Sequence, residues 1–363
     1  MTSTAPARSP IAPDAPLAGT GRRAGGRGRT GLVAGVLGLV LVASVLLAVA
    51  IGPADLSPSE VLASVLTHLG LGELFGVEAP SAIRDGIVWE LRLPRVLTAA
   101  AVGAGLALCG TVMQALMRNP LADPYLLGLS SGASLGAVIV IVLGAAIALP
   151  IAAFAGALLA LVATLGLASA AGGLSASRTI LAGIAVSAVF AALTSLVIFW
   201  SATGDSYREI LNWLLGSLAG TDWVSVAIAG GALIVIGIPL IASARTLDAF
   251  AFGDAAASAL GVHVGRSRLL LLGGTALLTG ALVAVSGSIG FVGLILPHGV
   301  RLLVGSRHRA LLPLSALAGA LFLVWADTAA RTLFDPRELP VGIITALVGG
   351  PVFALLLMRR RVS

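Results

Sequence analysis

Along this chain apolar residues come in blocks of about twenty, separated by short polar breaks, with no alternation of apolar and polar positions inside the blocks. The blocks fall at 31–52, 96–117, 125–148, 151–171, 179–200, 223–242, 269–286, 289–304, 311–330 and 341–358. Most are close to the ~20 residues that a helix needs to cross the hydrocarbon core of a bilayer. A helix apolar on every side is surrounded by lipid or by other apolar helices. The pattern therefore predicts an all-α integral membrane protein of about ten transmembrane helices, with almost all of the chain from 31 to 363 in the bundle. Residues 1–30, rich in Pro, Gly, Ala and Arg and without apolar periodicity, are expected to be a disordered basic tail.

The breaks hold the polar chemistry. Between the second and third blocks lies Arg118-Asn119-Pro120-Leu121-Ala122-Asp123-Pro124, whose two prolines end a helix. Gly128, Gly132 and Gly136 follow at four-residue spacing and give a flat stripe for close helix packing. Residues 52–90 are acidic and contain Ser57-Pro58-Ser59-Glu60, the start of a capped short helix. A polar and aromatic stretch from Ser201 to Gly220 reads as a helix lying at the membrane interface. In the longest break, Ser243 to Arg268, an Ala-rich turn runs from Asp254, as acidic cap, to Gly261, as stop, with Ala257 and Leu260 on one face.

Composition supports the membrane assignment. Hydrophobic residues make up 58% and charged residues 10%, against about 25% charged in soluble domains, and the mean hydropathy is +1.06. The net charge of +6 does not point to nucleic acid. With the N-terminus inside, ten spans place sixteen of the 22 basic residues on the cytoplasmic side, which is the positive-inside bias, and put both termini in the cytoplasm. All 22 are arginines, and without lysine the chain cannot form the phosphate-binding loop of an ATPase, so any ATP hydrolysis belongs to another polypeptide. The lone Cys109 reads as a small buried hydrophobe, and no His or carboxylate spacing suggests a metal site. Asp327 and Arg331, four apart on one helix, are expected to neutralise each other. An ion-coupled secondary transporter built on Asp327 is the alternative reading of the same features.

Several landmarks then fall in register: Leu91-Arg92-Leu93-Pro94-Arg95, the Arg118–Pro124 turn, Gly253–Gly261, Gly287–Pro297, Glu338-Leu339-Pro340-Val341-Gly342 and Gly349-Gly350-Pro351. Together they resemble the iron-siderophore and cobalamin permeases of ABC importers, over almost everything after the first thirty residues. The resemblance implies a BtuC-like type II importer permease, a non-catalytic subunit of the bacterial cytoplasmic membrane in which spans two to five and seven to ten form inverted repeats. It implies as partners a second permease copy or a paralogue, two ATPase subunits that hold ATP and Mg, and an extracytoplasmic binding protein delivering a ferric siderophore, with cobalamin or haem as alternative cargo. No cofactor is expected on this chain.

By residue, the resemblance assigns Arg92, Arg95 and Arg331 to docking of the binding protein; snorkelling, or pairing with Glu90 or Asp327, is the other reading of these arginines. It makes Gly253, Asp254, Ala257, Leu260 and Gly261 the loop that rests on the ATPase. Ser175, Ala176 and Ser177 match the inner gate, with the departure that Ala176 stands where the cobalamin-type pattern has a Thr beside the Ser. Ser187, Thr194 and Ser195 are polar positions of the fifth span, which either line the pathway or bond carbonyls of their own helix.

Overall fold

The structure, a computed structural model, describes residues 25–78, 80–144, 149–201 and 204–359. The expected tail thus lies outside the described residues up to position 24, and the first helix, α1 (Gly25–Ala50), begins at Gly25. The chain continues through α2 (Pro58–His68), α3 (Ala82–Leu116), α4 (Leu129–Val142), α5 (Leu149–Ala170), α6 (Ala176–Ser201) and α7 (Gly204–Leu214). It is completed by α8 (Trp223–Ala242), α9 (Ala244–Phe250), α10 (Asp254–Ala259), α11 (Val264–Ser286), α12 (Val292–Val304), α13 (His308–Thr332) and α14 (Val341–Arg359). Seven of these are long and apolar enough to cross a membrane, and α4, α12 and α14 are shorter apolar helices, so each of the ten apolar blocks has a helix.

The α3 helix is the axis of the bundle: 89% of its most apolar window is buried, against 22% for α6 and 17% for both α1 and α8. Its largest packing partner is α13, followed by α12 and α11. Small residues allow this. Gly103 meets the Gly319 carbonyl of α13, and Gly110 meets the Gly293 carbonyl of α12, at distances that leave no room for a Cβ. Without a hydrophobic driving force between helices in lipid, such close backbone approach is a main source of packing energy. The glycine stripe of α4 works the same way, with Gly132 on Gly156 and Gly136 on Ala152 of α5.

The structure revises three boundaries. The second span begins at Ala82, fourteen residues before the apolar block, and so carries Arg92 and Arg95 on the helix itself. Pro94 is accommodated because residues Ile87–Arg92 widen into a π-helical turn just ahead of it; a widened turn relieves the missing donor and the clash that proline brings to a helix interior. The same device precedes Pro239 in α8, at Leu233–Gly237. The third span shrinks to α4 because Pro124–Leu127 forms a 3-10 turn and Gly128, at φ +80°, breaks the helix; residues 145–148 of that block lie outside the described residues. The eighth shrinks to α12, which starts after the left-handed Phe291.

Those two helix starts touch. The Tyr125 hydroxyl donates to the Ile289 carbonyl at 3.0 Å, the Ile289 N–H reaches the same hydroxyl at 3.2 Å, and the Ser130 and Ser288 hydroxyls bond at 2.6 Å. Backbone groups left over where helices break inside a bundle are thereby satisfied within the protein. Elsewhere the sequence reading holds locally. Ser57 and Glu60 form a reciprocal capping box on α2, and α7 is the expected helix of the Ser201–Gly220 stretch, packing Ile210 against α4.

Candidate functional site

The two ends of the bundle carry different chemistry. At one end, the three candidate docking arginines all turn into the protein. Arg92 is 7% exposed and donates from Nη1 to the Val49 and Ala50 carbonyls at 3.0 Å and from Nη2 to the Ala54 carbonyl at 2.9 Å. The first two are free carbonyls at the C-terminus of α1 and the third lies in the strap that follows, so Arg92 acts as a cap supplied by another helix. Gly52, in the strap between α1 and α2, lies so close over the guanidinium that a Cβ would sit 2.6 Å from Nη2. Arg331 is 4% exposed and bonds the Ala48 carbonyl from Nη2.

Arg95 forms the central ion pair. Its Nε lies 3.1 and 3.0 Å from the two oxygens of Asp327, its Nη2 lies 2.9 Å from Oδ1, and its Nη1 reaches half-exposed Glu338 at 2.7 Å. Bidentate guanidinium–carboxylate geometry of this kind is directional and strong. The expected pair between Asp327 and Arg331 is therefore secondary, at 3.9 Å and outside hydrogen-bond distance. Asp327 faces across to α3 rather than along its own helix. The sequence reading paired Asp327 with Arg331 and gave a pair with Asp327 only as the alternative to docking for the outer arginines, because the Arg95 pairing depends on how α3 and α13 cross.

At the opposite end, α9 and α10 form the predicted loop. The helix spans Asp254–Ala259 and stops at Gly261, at φ +84°, with Val262 N–H on the Ala257 carbonyl and Gly261 N–H on the Ser258 carbonyl, a glycine-terminated end as expected. Two details differ. Gly253, not Asp254, is the N-cap; the Asp254 carboxylate turns instead to Arg268 of α11, with bonds of 3.1 and 2.7 Å. That guanidinium holds Asp254 below the usual carboxylate range. Ala257 is fully buried whereas Leu260 is 68% exposed, so the two do not share an outward face. The large exposed apolar side chains of the loop are Leu260 and Phe252. Phe252 was not picked out from the sequence, though an aromatic residue just ahead of Gly253-Asp254 was the available signal.

The remaining candidates lie on and beside α6. Ser175 and Ser177 are exposed at its start, after Gly172 and Gly173 in left-handed conformation, and Arg178 closes this turn onto the Gly172 carbonyl. Thr194 donates to the Phe190 carbonyl at 2.8 Å and Ser195 to the Ala191 carbonyl at 3.0 Å, so both hydroxyls are engaged by their own helix. Ser187 is half-buried beside Gly128. Around them α6 exposes Leu181, Ile184, Val189, Leu193, Leu196, Phe199 and Trp200. Cys109 is buried, with its thiol 3.5 Å from the Thr275 carbonyl. Among the described residues no three His, Cys, Asp or Glu side chains converge as a metal site would require.

Comparison with known proteins gives this geometry a context. The model of the FecCD transport family matches residues 40–359. An uncharacterized ABC transporter permease, YvrB, of Bacillus subtilis is 43% identical over 327 residues, covering 88% of this chain and 91% of the relative. The cobalamin import permease BtuC of Halobacterium salinarum is 39% identical, with 90% and 95% covered, and the hemin transport permease HmuU of Yersinia pestis is 42% identical, with 76% and 84% covered. Among solved structures, an inward-facing metal-chelate type ABC transporter superposes with a TM-score of 0.78 at 33% identity, over 91% of this chain and 99% of that one.

Proposed function

The chain belongs to the FecCD transport family and is a multi-pass permease of the ABC importer type; from that premise we propose that it moves a ferric siderophore inward by ATP-driven alternating access. In this reading two permease copies, or this chain and a paralogue, stand side by side with two ATPase subunits below and one binding protein above. The Arg95 end faces outward and the Asp254 end faces the cytoplasm, with both termini cytoplasmic. The observation that carries the reading is the division of labour between the ends: a buried cationic cluster at one, and at the other a rigidly anchored loop that leaves Phe252 and Leu260 exposed.

Each end supports a specific role. Docking of an acidic binding protein uses the positive field of Arg92, Arg95 and Arg331, and the bond of Arg95 to half-exposed Glu338 is the one that opens to an incoming carboxylate. Gly253 to Gly261, with Phe252, rests on the ATPase subunit. The apolar exposed face of α6 suits a bulky chelate or the second copy, and Ser175, Ala176 and Ser177 at its start form the inner gate. Asp327, bonded to Arg95 and with Arg331 close by, serves in this reading as a structural ion pair of the bundle.

A cobalamin cargo is the second reading, favoured by the relatives of 38–41% identity that are named for vitamin B12 or cobalamin import. Uptake of labelled ferric siderophores, cobalamin and haem by cells with and without the gene separates the two. Loss of one siderophore class on deletion supports the first reading; loss confined to cobalamin or haem replaces it.

A further inference from the structure

This inference rests on the importer reading. We propose that Asp248 and His308 form the joint through which movement of the cytoplasmic loop is delivered to α13, making them positioning residues for coupling between ATP hydrolysis and the outer face.

The loop from Ala244 to Val262 is held by burial of Leu247, Phe250 and Ala257 and at three further places. Asp254 ties the start of α10 to α11 through Arg268. Gly253, at φ +95°, lies against the Arg118 side chain that follows α3, where a Cβ would be 3.1 Å from Nη1. The third attachment is of another kind. One oxygen of Asp248, in α9, accepts the backbone N–H of His308 at 3.0 Å and bonds its Nδ1 at 2.7 Å. His308 is the first residue of α13, and the preceding Arg307 makes no side-chain cap. Asp248 therefore caps α13 from a different helix, where an anion is favoured by the free N–H groups and the helix dipole. The imidazole is nearly buried at 5% exposure, whereas the Asp248 side chain is 38% exposed.

What lies at the far end of α13 gives this cap its consequence. The helix is continuous for 25 residues, about 37 Å at 1.5 Å per residue. Its last turns hold Asp327, bonded to Arg95 on α3, and Arg331, bonded to the end of α1. Pro313 removes one backbone hydrogen bond near the start of α13, and beyond it the helix runs on to Thr332, so a displacement of its first turn is carried along the helix to its last turns. A shift of α9 and α10, driven from the surface that exposes Phe252 and Leu260, thus reaches the buried arginine cluster through one hydrogen-bonded joint. The Asp254–Arg268 bond leads into α11, and the Gly253–Arg118 approach leads into α3, which carries Arg92 and Arg95; the Asp248 cap is the hydrogen-bonded attachment that leads into α13.

The test uses the complete importer, permease with ATPase and binding protein, in proteoliposomes, and reads ligand transported per ATP hydrolysed. Asp248→Ala should leave assembly and basal ATPase in place while the ratio falls at least ~5-fold, the low end of typical coupling free energies. Asp248→Asn, which keeps the accepting oxygen, should recover most of the ratio. If Asp248→Ala fails to assemble, the Asp248→Cys/His308→Cys pair decides: the cross-linked form should keep a near-normal ratio and the reduced form should lose it. Transport and ATPase falling in proportion, with the ratio unchanged, would mean a merely structural contact and overturn the joint. A low ratio in both the cross-linked and reduced forms would also overturn it. Absence of ATP-dependent transport by the unaltered protein would reject the importer reading and the joint with it.

Discussion

Replacing Arg95 by Met would leave the Asp327 carboxylate, 1% exposed, without the three N–H contacts it receives at 2.9 to 3.1 Å. The remaining cation, Arg331, stands 3.9 Å away and is committed to the Ala48 carbonyl. Removing one partner of a buried ion pair costs about 3–5 kcal/mol, because a charge is left desolvated. Residual attraction to Arg331 places the expected loss near the lower bound, about 3 kcal/mol, a fall in melting temperature on the order of 5 °C. The informative comparison is the double variant. Asp327→Asn on its own should also destabilise, yet added to Arg95→Met it should restore about 1 kcal/mol, since it neutralises the orphaned carboxylate. Thermal unfolding of the purified permease in detergent, for all four members of the cycle, reads this directly. An unchanged melting temperature for Arg95→Met, or a double variant less stable than Arg95→Met alone, would refute the assignment of Arg95 as the main partner of Asp327.

Three further predictions follow from other sites. Gly103→Val should cost ~1–3 kcal/mol by forcing α3 from α13, whereas Gly35→Val, with nothing within 4 Å of its added Cβ, should leave the melting temperature of the same preparation nearly unchanged. Phe252→Asp should abolish co-purification of the ATPase subunit while the permease alone keeps its melting temperature, because the side chain is 77% exposed. Asp254, whose carboxyl is depressed by Arg268, contributes its anchor fully above the ordinary Asp range and loses it as pH falls through the lower folded value. Proteolytic nicking of the 243–263 loop should therefore rise only at pH values below that ordinary range, and Arg268→Gln, which removes the anchor itself, should raise nicking already at neutral pH and abolish that pH dependence.

The bundle was legible because apolar blocks of near-constant length leave few alternatives to membrane helices. What misled the boundaries was local. Pro94 stood just ahead of the block 96–117 and outside the expected span, and the chain takes it into the helix behind a π turn that has no one-residue signature; Pro239, inside the expected block 223–242, is accommodated in the same way. Gly128 was read as part of a packing stripe, but its left-handed φ makes it a break, and only Gly132 and Gly136 meet α5. The sites were legible in part. The loop at 253–261 and the arginines could be located because charged residues are scarce in such a chain, at 10%. Their partners could not: Arg95 with Asp327, Arg268 with Asp254, and Asp248 with His308 are 232, 14 and 60 residues apart. Such pairings come from helix crossings that periodicity alone does not determine.

The central claim is that this chain forms the path of an ATP-driven importer. The most direct measurement is accumulation of a labelled ferric siderophore in proteoliposomes holding the permease with its ATPase and binding protein, with ATP supplied on the ATPase side and an ionophore collapsing the proton gradient. The account predicts uptake that requires ATP and the binding protein and persists with the ionophore. Uptake that needs no ATP and disappears when the gradient collapses would contradict it and turn attention back to Asp327.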